Sequence, residues 1–141
     1  MGIQTEKIYF ENGLSDEKSI CESFYDITGL ELQIKENLYE DDGFSYYVEG
    51  FYRLDLVDYY YEGKCFYLES PIGSYYFFYA LLETFFKLGA RKVNHQYNYD
   101  RNVAELPNLD INNYLLPISE NKYWEDLKKW KDYDLFKRPK K

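Results

Sequence analysis

The run from Tyr75 to Leu88 constrains the fold most. Tyr75, Tyr76, Phe77, Phe78, Tyr79, Leu81, Leu82, Phe85 and Phe86 leave almost no polar side on a helix drawn through them. A helix that is apolar nearly all round has to be buried. The run is also shorter than the ~18 apolar residues needed to span a bilayer. It therefore belongs in a protein core and needs a second layer to lie across. Ser70 and Pro71 read as its N-cap and first helical residue, and Gly89 as its stop.

The second layer is legible upstream, where the hydrophobic period changes to two. Leu30, Leu32 and Ile34 alternate with Glu31, Gln33 and Lys35, the pattern of a half-buried strand. Glu40-Asp41-Asp42-Gly43 reads as a turn, and 44–49 as the next strand, with Gly50 as a bulge or corner. Residues 51–61 form a long strand, and Glu62-Gly63 turns it onto another at 64–69. Before this meander, residues 6–10 read as a strand and 16–28 as a helix, with Ser15 as N-cap, an apolar stripe of Ile20, Phe24 and Ile27, and Gly29 as stop. After the core helix, a strand is expected from Arg91 to Tyr99 and an irregular wrap over 100–118. Ser119 and Glu120 open a last helix with Tyr123, Leu127 and Trp130 on one face.

The class expected is α+β: an antiparallel sheet of about five to six strands with helices on one face, in the order β-α-β-β-β-β-α-β plus a C-terminal helix. Residues 1–141 read as one domain, with a core at 1–118, the C-terminal helix at 119–136 and a frayed tail at 137–141. No basic-then-apolar leader is visible at the N-terminus, and two cysteines (Cys21 and Cys65) are too few for a disulfide framework, so a cytoplasmic setting is the default expectation.

Charge narrows the partners. The net charge is −8, unevenly placed: residues 1–69 carry 16 acids against 5 bases, and residues 70–141 carry 9 against 12. Direct nucleic-acid binding needs concentrated Lys and Arg, so no such partner is expected. The acidic half suits a basic protein or serves solubility alone. Tyr contributes 18 of the 141 residues, a surplus that an AT-rich genome would also produce.

Motifs for catalysis are missing from the sequence. The one histidine, His95, stands in a predicted strand without a companion motif, and there is no nucleophile elbow, P-loop or dinucleotide fingerprint. Glu40-Asp41-Asp42 lacks the alternating oxygens of a calcium loop. No cofactor or metal is expected, and the chain is not expected to be an enzyme. The enzyme alternative would use Asp55 or Asp58 with His95. A ligand-binding alternative would line a pocket between the core helix and the sheet with aromatic rings.

The remaining feature is the sheet's outer face. With Leu30, Leu32, Ile34, Leu54, Leu56, Phe66 and Leu68 beneath the helices, period two sends Glu31, Arg53, Asp55, Val57, Tyr59, Tyr61, Cys65, Tyr67 and Glu69 outward. Tyr47 and Glu49 join them if Phe44, Tyr46 and Val48 point inward. The candidate partner-binding set is Tyr47, Glu49, Asp55, Tyr59, Tyr61, Tyr67 and Glu69. Tyrosine offers contact area with few rotors to freeze, and carboxylates steer a cationic partner. Two other readings of this face stay open: cross-strand tyrosines stabilising an exposed sheet, or a surface covered by the C-terminal segment. Asp58 falls on the core side, which implies a bulge, an edge or a buried partner. In size and charge alone the chain resembles small acidic bacterial immunity proteins and phage-encoded inhibitors of host defence. That resemblance implies a stoichiometric inhibitor of a basic toxin or enzyme.

Overall fold

A computed structural model describes residues 3–36, 43–58, 64–94, 111–117, 124–132 and 134. The elements are β1 (Ile3–Tyr9), α1 (Glu17–Thr28), β2 (Gln33–Glu36), β3 (Gly43–Tyr47), β4 (Leu54–Asp58), β5 (Cys65–Pro71), α2 (Tyr75–Lys87), β6 (Arg91–Lys92) and α3 (Trp124–Trp130). The strands form one antiparallel sheet in the order β2-β3-β4-β5-β1-β6. The chain leaves β1, crosses by α1 to the far edge, and returns through the β2–β5 meander to lie against β1. Then α2 carries it to the other side of β1, giving the expected split β-α-β pattern.

Local chemistry explains the ends of α1. Asp16, one residue later than the expected Ser15, is its N-cap: Oδ2 accepts the Ser19 amide at 3.0 Å and Oδ1 the Ser19 hydroxyl at 2.7 Å. The carboxylate reaches the third helical amide and also meets the positive end of the helix dipole. Gly29 closes the helix at φ 72°, where its N–H donates to the Tyr25 carbonyl at 2.8 Å. Between these ends Ile20 and Phe24 are buried against the sheet and α2.

Helix α2 is surrounded as its sequence demands. Its buried residues include Tyr76, Phe77, Phe78, Leu81, Leu82 and Phe85, walled by the sheet, α1 and α3. The rings meet edge to face: Phe85 with Phe10 at 5.4 Å and with Tyr46 at 5.7 Å, and Phe77 with Phe24 at 5.7 Å. These side chains and the inner-face residues of the sheet form one buried cluster. Tyr46 is fully buried, and its hydroxyl has no hydrogen-bond partner.

The start of α2 corrects the sequence reading. Ser70 and Pro71 end β5, and the helix begins at Tyr75. Ser70 Oγ instead accepts a hydrogen bond from Gln4 Nε2 at 2.7 Å, and the same amide donates to the Ser74 carbonyl at 2.9 Å. Ser74 stands at the N-cap without a side-chain cap bond. The cap comes from Asp134, which is buried: its carboxylate accepts the Tyr76 amide at 2.6 Å and the Phe77 amide at 3.2 Å. Two of the amides that every helix start leaves unpaired are thus satisfied from 58 residues away. Just before it, Leu127 is buried and the Trp130 ring lies 4.6 Å from Tyr75, so these two residues clasp α2.

β1 begins earlier than expected, at Ile3, whereas β2, β4 and β6 depart the other way: β2 starts only at Gln33. β4 starts at Leu54 because the chain turns at 48–51, where the Phe51 amide donates to the Val48 carbonyl at 3.0 Å and Gly50 takes φ 89°. The corner reading of Gly50 thus holds. β6 has two residues, and its neighbour Val93 forms a bridge with Leu115. The 40–43 turn up to Asp42, residues 59–63 and 95–99, and the helix start at 119–120 lie outside the described residues.

Replacing Asp134 with Ala should destabilise the fold by about 2 kcal/mol, read by urea denaturation, because two buried amides lose a charged acceptor. The opposite sign is expected for Tyr46→Phe, a gain of about 1 kcal/mol, because the substitution removes a desolvated hydroxyl that bonds to nothing.

Candidate functional site on the outer sheet face

Register decides which residues share the outer face, because directly paired residues point the same way. One row runs Lys35–Ser45–Asp55–Glu69–Thr5 across five strands. A second runs Gly43–Val57–Tyr67–Lys7, and Cys65 pairs with Tyr9, which in turn pairs with Arg91. Tyr47 pairs with Gln33 at the end of β3. The inner face carries Phe44–Leu56–Leu68–Glu6 and Asp58–Phe66–Ile8.

Of the seven candidate residues, the fold therefore brings Tyr47, Asp55, Tyr67 and Glu69 to one face, each half-buried. Glu49 is exposed in the turn beyond β3. Tyr59 and Tyr61 lie outside the described residues. Cys65 keeps its outward direction but is 0% exposed, and its neighbour Tyr9 is buried too, so that end of the face is covered. Asp58 lies on the core side, opposite Phe66 and half-buried at the end of β4. Asp55 and Asp58 are thus on opposite faces and do not converge.

The uncovered end holds a groove of about 480 Å³. Tyr47, Tyr52, Ile3 and Pro71 are among its walls, and Asp55, Glu69 and Arg53 supply its charge. Two of its residues were not legible. Tyr52 shares parity with the inward Leu54 and Leu56, but the late start of β4 frees it from that alternation and leaves it 40% exposed. Ile3 lies ahead of the expected first strand, yet β1 begins there, and the side chain is 64% exposed beside Pro71. Ile72, the next residue after Pro71, is also exposed. Two large exposed side chains, Ile3 and Tyr52, thus line a polar groove, the composition of a contact surface.

The groove's electrostatics are uneven. Asp55 and Glu69 are direct cross-strand partners, a pairing of like charges that works against the sheet. Asp55 Oδ1 accepts the Ser45 hydroxyl at 2.8 Å and meets Arg53 Nε at 3.2 Å. Lys35 Nζ stands 5.2 Å from the centre of the Tyr47 ring, within cation–π range. Both ends of this surface are therefore in contact with one of the chain's own cations.

A second hollow of about 370 Å³ lies between α1 and β2, where Glu22, Asp26 and Glu31 flank the exposed Tyr25. Cys21 borders it, and its thiol donates to the Leu32 carbonyl at 3.3 Å. Burial, then the Glu17 carboxylate, raises the Cys21 pKa. The Cys65 thiol is pushed up to about 12 by burial and then by Asp58. Neither is a ready nucleophile, since the thiolate is the reactive form. Among the described residues no three His, Cys, Asp or Glu side chains are grouped to hold a metal ion, and no helix is long and apolar enough to cross a membrane. No protein-family model, curated protein or solved structure matches this chain.

At pH 8 the native protein should react with a disulfide reagent such as dithionitrobenzoate much more slowly than a free thiol does, with Cys65 released only on unfolding. Rapid labelling of Cys65 in the folded chain, read by peptide mass, would contradict the burial described here.

Proposed function

We propose that this chain is a stoichiometric protein-binding inhibitor that blocks a basic surface of a toxin or enzyme, as immunity proteins do. The observation that carries the reading is the groove on the outer face, where tyrosine and apolar walls flank a cross-strand carboxylate pair. A net charge of −8 supports it, since long-range attraction raises the encounter rate with a basic partner. So does the composition of the rim, because tyrosines are frequent anchors at interfaces. If the partner handles nucleic acid, carboxylates held in place stand where phosphates would, which is a direct route to inhibition.

The groove is the anchor of a wider contact. A stable complex buries roughly 800 Å² per partner, more than a groove of this size offers. The Val57–Tyr67–Lys7 row beside it extends the surface in the direction of the covered end. The rigid sheet beneath keeps the ordering cost of binding low.

The test begins with capture of the partner from cells of the source and measurement of stoichiometry by light scattering, with a 1:1 complex with a basic protein expected. Tyr47→Ala and Tyr52→Ala should each weaken that complex by about 2 kcal/mol while leaving the urea midpoint nearly unchanged. Charge reversal at Asp55 or Glu69 should mainly slow association and flatten its salt dependence. A complex whose affinity survives all four substitutions binds elsewhere, and the reading then fails.

A further inference from the structure

We infer that the groove recognises a single arginine or lysine side chain of the partner, and that Arg53 is a built-in stand-in for that side chain. The inference rests on the proposed function and assigns the chemistry of its central contact. It starts from the cross-strand pair Asp55 and Glu69. Two carboxylates fixed opposite each other on neighbouring strands repel, and a cation placed between them and the aromatic wall relieves the repulsion. Two of the chain's own cations already rest on this face, one on a carboxylate and one on a ring: Arg53 meets Asp55 at 3.2 Å, and Lys35 lies over Tyr47.

Arg53 is placed to be exchanged. It stands just before β4, after the turn at Gly50, and its side chain is 40% exposed against 23% for Asp55. An ion pair this open contributes little to stability, so the guanidinium swings into solvent at small cost. An entering arginine then lays its methylenes between Ile3 and Tyr52 and sets its head group on the carboxylates, with its apolar neighbours meeting the rim that Ile3 and Tyr52 form. Competition from Arg53 also gives selectivity. A stray cation gains only what Arg53 already provides, whereas a partner that also fills the apolar rim displaces it.

The probe is the capped tripeptide N-acetyl-Leu-Arg-Leu-amide, titrated into the full ¹⁵N-labelled chain and followed by amide shifts, with the citrulline peptide as the neutral isostere. Arg53→Gln should tighten arginine-peptide binding about fivefold, with shifts centred on Tyr47, Asp55 and Glu69, and the citrulline peptide should bind neither protein. Lys18→Gln makes the same charge change on α1, across the sheet, and should leave the affinity as it is. If the peptide binds this groove but Arg53→Gln binds no tighter, or Lys18→Gln tightens it equally, the stand-in role is overturned while the proposed interface stands. If the citrulline peptide binds as well as the arginine peptide, recognition of a cation is overturned. If neither protein shows shifts on this face with the arginine peptide, the inference is overturned, while the proposed interface is judged by the four substitutions in the captured complex.

Discussion

The enclosure of α2 governs the architecture. A helix with Tyr76, Phe78, Leu81, Leu82 and Phe85 buried on different sides cannot rest on a sheet with its back to water. It needs α1 along one flank and α3 along another, so the three described helices collect on the same side of the sheet. The same enclosure removes solvent from the amides at its N-terminus, and buried amides need acceptors. Asp134 supplies them, which ties the far end of the chain to the centre of the core. That the described helices all lie on one side of the sheet is thus a consequence of how greasy one helix is.

Much of this was legible in local pattern. The change from a period of two to an apolar run announced a sheet with a core helix, and the alternation of Leu54, Asp55, Leu56 and Val57 placed the carboxylate on the right face. What could not be read depends on contacts distant in sequence. Ser70-Pro71 resembles a helix start by every local rule, yet pairing of Ser70 and Pro71 with Gln4 and Ile3 keeps both in β5. No local signal marks Asp134 as the cap that replaces them. The boundary at Leu54 was missed for a related reason: Phe51 and Tyr52 have strand-like side chains, but the turn closed by Val48 and Phe51 takes them out of the ladder.

The site was legible in the same uneven way. Period two put Tyr47, Asp55, Tyr67 and Glu69 together, and pairing of the strands confirms that they share a face. Direction along a strand does not determine solvent access, however. Cys65 and Tyr67 point to the same side of β5, yet Cys65 is buried and Tyr67 only half so. Periodicity describes which way a side chain leaves the backbone. What lies above it is decided by segments elsewhere in the chain, and the groove's extent follows from that cover.

Stability alone does not account for the exposed end of this face. Cross-strand tyrosines strengthen an open sheet, and Val57 opposite Tyr67 is a pairing of that kind. Asp55 opposite Glu69 is the reverse, since a threonine or a lysine at either position would serve the ladder better. Arg53 and Ser45 soften the conflict at Asp55, but an exposed ion pair contributes at most about 1 kcal/mol. The sheet sets this acid pair beside exposed Ile3 and Tyr52, so like charge and wetted apolar surface meet at one place. On the proposed reading, a cationic, partly apolar partner would answer both at once. This shared remedy distinguishes the groove from the acidic hollow beside α1, where Lys18 and Glu22 form an ordinary solvated helix pair.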